Sequence, residues 1–306
     1  MLLEDVMEEY IYHCHARGFT KKTMKNKRQE YKQLINFLKG KRGITDLESI
    51  TLHDLRAYVR LKQQQGLKPQ SIVAIFKIVK AFFSWCKKEG YIEENIPLNV
   101  ELPKVPKNVL NGFTVKEVQT MIDAFSFKNY IEARDKALIS MLADCGLRAM
   151  EIRGLTNENV RDSSILVNGK GNKQRIVFIS PALKRILIKY ERLKKEYFKD
   201  MDTANHYFLT YIGTGLSHVT LDNVIKKAGK RAGIEGKRVS PHTFRHFFAV
   251  QCLTTGQLDV YSLSRLLGHA DISITQKYLQ TMNDEQLLTK AVSSSPLMNF
   301  KKALID

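Results

Sequence analysis

Six side chains between positions 148 and 278 of a 306-residue chain carry groups that together could break and remake a phosphodiester without a metal: Arg148, Lys170, His242, Arg245, His269 and Tyr278. Two guanidiniums can grip the non-bridging oxygens of a phosphate through forked, charge-assisted hydrogen bonds. A lysine and histidines can move protons. A phenol can attack phosphorus and keep the bond as a covalent ester. Tyr278 closes a run that begins Leu266-Leu267-Gly268-His269, with His269 nine residues ahead of it.

Taken singly, each residue has a bland reading. Arg148 follows Gly146, a helix stop, and opens the next helix, where an arginine is usually solvated. Glu151, three residues on, shares its face and can orient the guanidinium. Lys170 stands between Gly169 and Gly171 at the tip of an expected hairpin, where most lysines are simply in water; Lys173 is a rival in the same turn. His242 and Arg245 lie on one face of a helix that Ser240 can cap and Pro241 can start. Their polar heads project together from a first turn whose backbone N–H groups also favour an anion. His242 and His246 could instead be read as a metal pair, but Thr243 stands where a zinc-protease motif has glutamate. His246 is better read as a structural or phosphate-side hydrogen bonder. His269 follows a glycine cap, a place usually held by a C-cap partner, and a tyrosine in an amphipathic helix is usually packing. The specificity lies in the ordered set.

The elements that must position these groups can be read from periodicity. Leu3, Val6, Met7, Tyr10, Ile11 and Cys14 keep helical spacing. Thr20 can cap a second helix closed by Gly40, and Thr51 opens a third that ends at Gly66. Pro69 begins a fourth, whose residues Ile72 to Cys86 are apolar nearly all round, so it is expected at the centre of a bundle. Residues 95–112 hold Pro97, Pro103 and Pro106 with Lys104 and Lys107 between them, the composition of an extended linker. Thr114 to Glu117 is a capping box that starts a new domain. Ile131 to Cys145 reads as a helix stopped by Gly146. Ser164–Asn168 and Arg175–Ser180 are short β-rich runs around a hairpin signature. From Pro181 the chain is expected to be helical to about Val292. The expected class is mainly α with a small antiparallel β-sheet: a four-helix domain over 1–94, a basic linker over 95–112 and a second domain over 113–306. After Tyr278, Leu287, Leu288, Ala291 and Val292 form an apolar stripe suited to docking on a neighbour.

Composition narrows the partners. The chain carries 49 Lys+Arg against 31 Asp+Glu, a net charge of +18. Both halves are basic, which suits a protein that touches a polyanion with both domains. No segment reaches the roughly 18 apolar residues of a membrane span. Cys14, Cys86, Cys145 and Cys252 lack paired spacing and read as core residues of a reducing compartment. The acidic start, Met1-Leu2-Leu3-Glu4-Asp5, is unlike a signal peptide, so the expected location is cytoplasmic.

The ordered words Gly146-Leu147-Arg148, Gly169-Lys170-Gly171-Asn172-Lys173, His242-Thr243-Phe244-Arg245-His246 and Leu267-Gly268-His269, followed by Tyr278, resemble the tyrosine recombinases, also called phage integrases. The likeness covers nearly the whole chain and is nearest to the compact Xer-like members. Phe244, where relatives often have leucine, is the one noted departure. The resemblance implies a SAM-like, core-type DNA-binding domain followed by a catalytic domain, the two clamping double-stranded DNA. It implies that Tyr278 forms a 3′-phosphotyrosine, that Arg148 and Arg245 hold the phosphate, and that Lys170 protonates the departing 5′-oxygen. His242 and His269 assist, with their roles undivided. It also implies a homotetramer on two duplexes, passage through a Holliday junction, accessory proteins that set direction, and no need for metal, ATP or other cofactor. A type IB topoisomerase would share similar chemistry, and a non-catalytic DNA-binding regulator is the alternative outside enzymes. The apolar tail argues against the first, and the intact set of six residues against the second.

Overall fold

The computed structural model describes residues 1–106, 111–169, 174–255 and 258–279. The chain divides into two units, Met1–Asn108 and Val109–Asp306, each built around its own core.

In the first unit α1 (Leu3–Ala16), α2 (Lys21–Arg42), α3 (Leu52–Gln64) and α4 (Pro69–Lys88) form a bundle. The Thr20 hydroxyl accepts from the Thr23 N–H to start α2. Thr51 and Asp54 exchange the two hydrogen bonds of a capping box at α3. Proline at the first position of α4 loses no helical hydrogen bond there. α4 buries Ile72, Phe76, Val79, Phe82, Phe83 and Cys86 and touches each of the other three helices. It is less enclosed than expected, because Ser71, Ala74, Lys77, Ala81, Ser84 and Lys88 leave an exposed stripe along it. α2 also runs past Gly40, the expected stop. Gly43 takes the left-handed conformation instead, and the Ile44 N–H returns to the Leu38 carbonyl. Within the stretch read as linker, Ile96–Asn99 forms a 3-10 turn, and Pro97 and Val100 are buried in the first unit.

The second unit contains α5 (Val115–Asp123), α6 (Tyr130–Cys145), α7 (Ala149–Arg153), β1 (Ser164–Asn168), β2 (Gln174–Phe178), α8 (Pro181–Tyr197), α9 (His218–Arg231), α10 (Pro241–Thr254), α11 (Val260–Leu267) and α12 (Ser273–Leu279). Thr114 and Glu117 cap α5 reciprocally, as their spacing predicts. α6 is the central helix. Its Ala137, Leu138, Ile139, Met141 and Leu142 are wholly buried, and α5, α8, α9 and α10 pack on it. β1 and β2 pair antiparallel, with Leu166 opposite Ile176, and turn Ile165, Val167 and Val177 inward. β2 stops short of Ser180 because the Ser180 hydroxyl is committed to the Leu183 N–H as the cap of α8.

One expectation fails here. The chain is not helical throughout beyond Pro181, since residues 198–217 between α8 and α9 are irregular. Their apolar run, Tyr207-Phe208-Leu209, is buried and returns through a bridge between Leu209 and Gly215. A short buried apolar run does not reveal its backbone by periodicity. Beyond it, α10, α11 and α12 close a small second core of Ala249, Val250, Leu253, Leu263, Leu267 and Tyr278. Leu287, Leu288, Ala291 and Val292 lie outside the described residues. Cys14, Cys86 and Cys145 are buried, Cys252 is half-buried, and all four are free thiols. Among the described residues no helix is long and apolar enough to cross a membrane.

Gly146 joins the core to the functional residues. It ends α6 at φ +57°, and a Cβ built on it would lie 2.4 Å from the Phe248 ring. Only glycine fits both demands. Gly146→Ala is therefore expected to cost at least about 1–3 kcal/mol, read as a lower urea midpoint for the second unit. Unchanged stability would contradict this account of the turn.

Candidate active site

The last carbonyls of an α-helix have no partner within the helix and carry the negative end of its dipole. At the end of α11, three consecutive carbonyls are each taken by a different arginine. Arg175 Nε donates to Leu266 O at 2.8 Å, Arg245 Nη2 to Leu267 O at 2.7 Å, and Arg148 Nη2 to Gly268 O at 3.1 Å. Three guanidiniums thus gather from a loop end, a strand and a helix. Gly268 makes this possible. It adopts φ +65°, and a Cβ there would come within 3.0 Å of Arg175 Cδ.

Like charges this close need an anion. Glu151, in the first turn of α7, supplies it. Its carboxylate accepts from the Arg148 backbone N–H and Nη1, both at 2.8 Å. Arg175 Nη1 and Nη2 donate to its two oxygens, also at 2.8 Å. Burial would push the Glu151 carboxyl upward, but the hydrogen bonds from Arg175 and Arg148 outweigh it and hold the group at about 2. With Arg175 neutralised by Glu151, the cluster keeps a net positive charge on Arg148 and Arg245. The Arg148 side chain is 38% exposed, so it can reach a ligand. Arg245 is 3% exposed and also donates to Gly146 O at 2.9 Å. Burial, then the charge of Arg148, lowers it to about 10, so it remains a cation at neutral pH.

In the sequence Arg175 reads only as the first residue of a short β-rich run. Strand alternation could have found it, because Arg175, Val177 and Ile179 share the inward face of the strand. A charge on a buried face requires a partner.

His242 and Arg245 leave the first turn of α10 together, beneath the Ser240 cap. Desolvation, then the charges of Arg245 and Arg238, pulls His242 below the ordinary histidine value. His246, one turn on, is lowered by burial and by His242. His269 follows Gly268, and its backbone N–H closes the α11 cap on Ser264 O. Its Nε2 lies 3.0 Å from Arg245 Nη2 and its Nδ1 lies 2.7 Å from Thr275 Oγ1. A guanidinium can only donate, so Nε2 must accept and Nδ1 carries the proton, donating it to Thr275. Burial, followed by Arg245, Arg148 and Arg175, lowers His269 to about 4.

Tyr278 projects from α12 into the small core and is 6% exposed. Its ring stacks on His269 at 6.1 Å between centroids and meets His246 at 5.4 Å. Four of the six sequence-identified residues, Arg148, Arg245, His269 and Tyr278, therefore meet around the end of α11 together with Glu151, while His242 lies on α10 close enough to Arg245 to feel its charge. Lys170, with its rival Lys173, lies outside the described residues. Among the described residues, no three His, Cys, Asp or Glu are grouped to hold a metal ion.

The histidines give the unit a pH signature. Above the usual histidine pKa of 6.5, His269 is neutral folded or unfolded. Between 6.5 and about 4 the unfolded chain takes up a proton that folded His269 refuses, so stability falls as pH drops through that window. Glu151 adds a separate loss from 4.5 down to about 2. Thermal unfolding between pH 7 and 4 is expected to show a slope that His269→Gln reduces. The same slope in the variant would contradict the assignment.

A model of the phage integrase family matches residues 111–285, and one of the phage integrase SAM-like domain matches residues 2–102. The tyrosine recombinase XerD of Pseudomonas aeruginosa is 30% identical, over 86% of this chain and 87% of its own length. Among solved structures, the XerH site-specific recombinase bound to palindromic difH, a post-cleavage complex, is 18% identical with a TM-score of 0.72, over 95% of this chain and 83% of that one. A lambda integrase tetramer bound to a Holliday junction is 18% identical with a TM-score of 0.71, over 91% and 77% of the two chains. At these identities the two structures show a shared fold.

Proposed function

The chain belongs to the phage integrase family, and from that premise we propose that it is a tyrosine-type site-specific recombinase, cutting and rejoining double-stranded DNA through a covalent intermediate. The observation that carries this reading is the gathering of Arg148, Arg245, His269 and Tyr278 around the end of α11, with His242 on the same helix turn as Arg245 and Glu151 neutralising only part of the positive charge. Arg148 and Arg245 hold the two non-bridging oxygens of the scissile phosphate and stabilise the charge that builds there during attack. The Tyr278 oxygen attacks phosphorus, and the bond from phosphorus to the 5′-oxygen breaks. A neutral histidine accepts the phenolic proton, a task that falls to His242 while the one lone pair of His269 accepts from Arg245, and Lys170 gives one to the departing 5′-oxygen. A 5′-hydroxyl of a second duplex then attacks the phosphotyrosine and the protons return. One phosphodiester replaces another, so neither ATP nor metal enters the balance. Four copies on two duplexes pass through a Holliday junction, in the cytoplasm where the DNA lies, with accessory proteins setting direction.

The test is covalent capture. The protein is mixed, in EDTA, with duplexes of randomised sequence that carry a nick beside the randomised core, so that the freed fragment diffuses away and religation fails. A protein–DNA adduct that survives denaturation is expected, and the captured sequences define a site for recombination on a two-site plasmid. Absence of any adduct, or an adduct only when magnesium is restored, contradicts the reading. Binding to the captured site is expected to be steeply salt-dependent, each neutralised phosphate adding about 0.9 to the log–log slope. A flat dependence would contradict phosphate contacts as the main source of affinity.

A further inference from the structure

Of the three arginines at the end of α11, Arg148 and Arg245 have a role in the reaction just described, and Arg175 does not. It is nonetheless the one whose Nε, Nη1 and Nη2 are all engaged within the protein. Its three donor nitrogens each make a hydrogen bond of 2.8 Å, two to Glu151 and one to Leu266 O. Its fork is closed on the Glu151 carboxylate, so its charge is already met inside the protein. The groups it holds are those that hold the reacting machinery. Glu151 fixes Arg148 through both its backbone N–H and its Nη1, and Leu266 lies one residue before the carbonyl that anchors Arg245 and three before His269. Gly268 leaves room for the Arg175 stem, since a Cβ there would lie 3.0 Å from Arg175 Cδ and press on it.

We propose that Arg175 is a positioning residue for strand cleavage, a three-point brace that fixes Glu151 against the end of α11 and so sets the spacing between Arg148, Arg245 and His269. The proposal rests on the recombinase reading and adds a residue to it. The geometry needs arginine itself. A planar fork can grip both carboxylate oxygens while the third nitrogen reaches a carbonyl, and a lysine has a single nitrogen to offer. Without the brace, Glu151 is free to turn toward Arg148 alone. The two phosphate-binding guanidiniums then lose their fixed separation, and a misplacement on the order of 1 Å is enough to slow a positioned reaction by about 100-fold.

The experiment uses the full chain and a nicked duplex captured by the wild-type protein, in single-turnover cleavage at saturating protein. Arg175→Gln and Arg175→Lys are both expected to cleave about 100-fold more slowly, with DNA affinity near wild type. A second substrate carries a neutral methylphosphonate at the scissile position, which removes the negative charge that Arg148 and Arg245 must meet. On it the defect is expected to shrink to below about tenfold, because the misplaced guanidiniums matter less. Glu151→Gln combined with Arg175→Gln is expected to be no slower than the slower single variant, since the two act as one unit. Should Arg175→Gln unfold below the assay temperature, Arg175→Lys carries the same comparison. Wild-type speed in Arg175→Lys, an equal loss on both substrates, or a loss confined to DNA binding would overturn the proposal. A wild-type chain that forms no adduct overturns the recombinase reading itself, so the two failures are distinguishable.

Discussion

Tyr278→Phe is expected to abolish covalent attachment to DNA, lowering cleavage by more than about 10⁴-fold, the scale seen when a nucleophile is removed. The substitution is conservative in every other respect. The ring packs among Ala249, Val250, Leu253, Leu263 and Leu267 and against His246 and His269, and phenylalanine preserves those contacts. The loss of one hydroxyl should change stability by only about 1 kcal/mol. DNA binding, which depends on charge, should therefore be unchanged while the adduct disappears. A covalent band that persists in the variant would move the nucleophile to another residue.

The second large effect belongs to Arg245. Arg245→Lys keeps the charge but cannot span Gly146 O, Leu267 O and His269 Nε2 at once. Cleavage is expected to fall by about 10²–10³-fold, as for loss of one preorganised donor to a developing anion. Arg245→Ala should add a stability loss of about 1–3 kcal/mol, because the carbonyls it served are left buried without a donor. Arg148 makes a contrast. Its side chain is 38% exposed, so Arg148→Ala should slow cleavage on the same scale with a smaller change in melting temperature. Equal destabilisation by both variants, or full cleavage by Arg245→Lys, would contradict this division.

Much of this was legible in the residues because the chemistry sits where helices begin and end. Ser240 with Pro241, Gly146 and Gly268 are local signals of caps and stops, and they place Arg148, His242, Arg245 and His269 without tertiary information. The helices of both units and the hairpin around Leu166 and Ile176 follow from period and turn chemistry. Three features did not. α2 passes Gly40 because a glycine in helical conformation is tolerated and Gly43 offers the cap. Tyr207-Phe208-Leu209 is buried irregular chain, which has no period to read. Arg175 takes its meaning from Glu151 and Leu266, far from it in sequence, and only its inward register on β2 hinted at a partner. The convergence of three arginines on successive carbonyls of one helix end is a tertiary fact.

If Tyr278 becomes covalently joined to DNA, locating the adduct on the chain will show it. The wild-type protein, trapped on a captured nicked duplex in EDTA, would be digested with protease and nuclease and its nucleotide-bearing peptide sequenced by mass spectrometry. A 3′-linked nucleotide on the phenolic oxygen of Tyr278 is expected. An adduct on any other side chain, or a cleaved strand carrying no peptide, would contradict Tyr278 as the nucleophile.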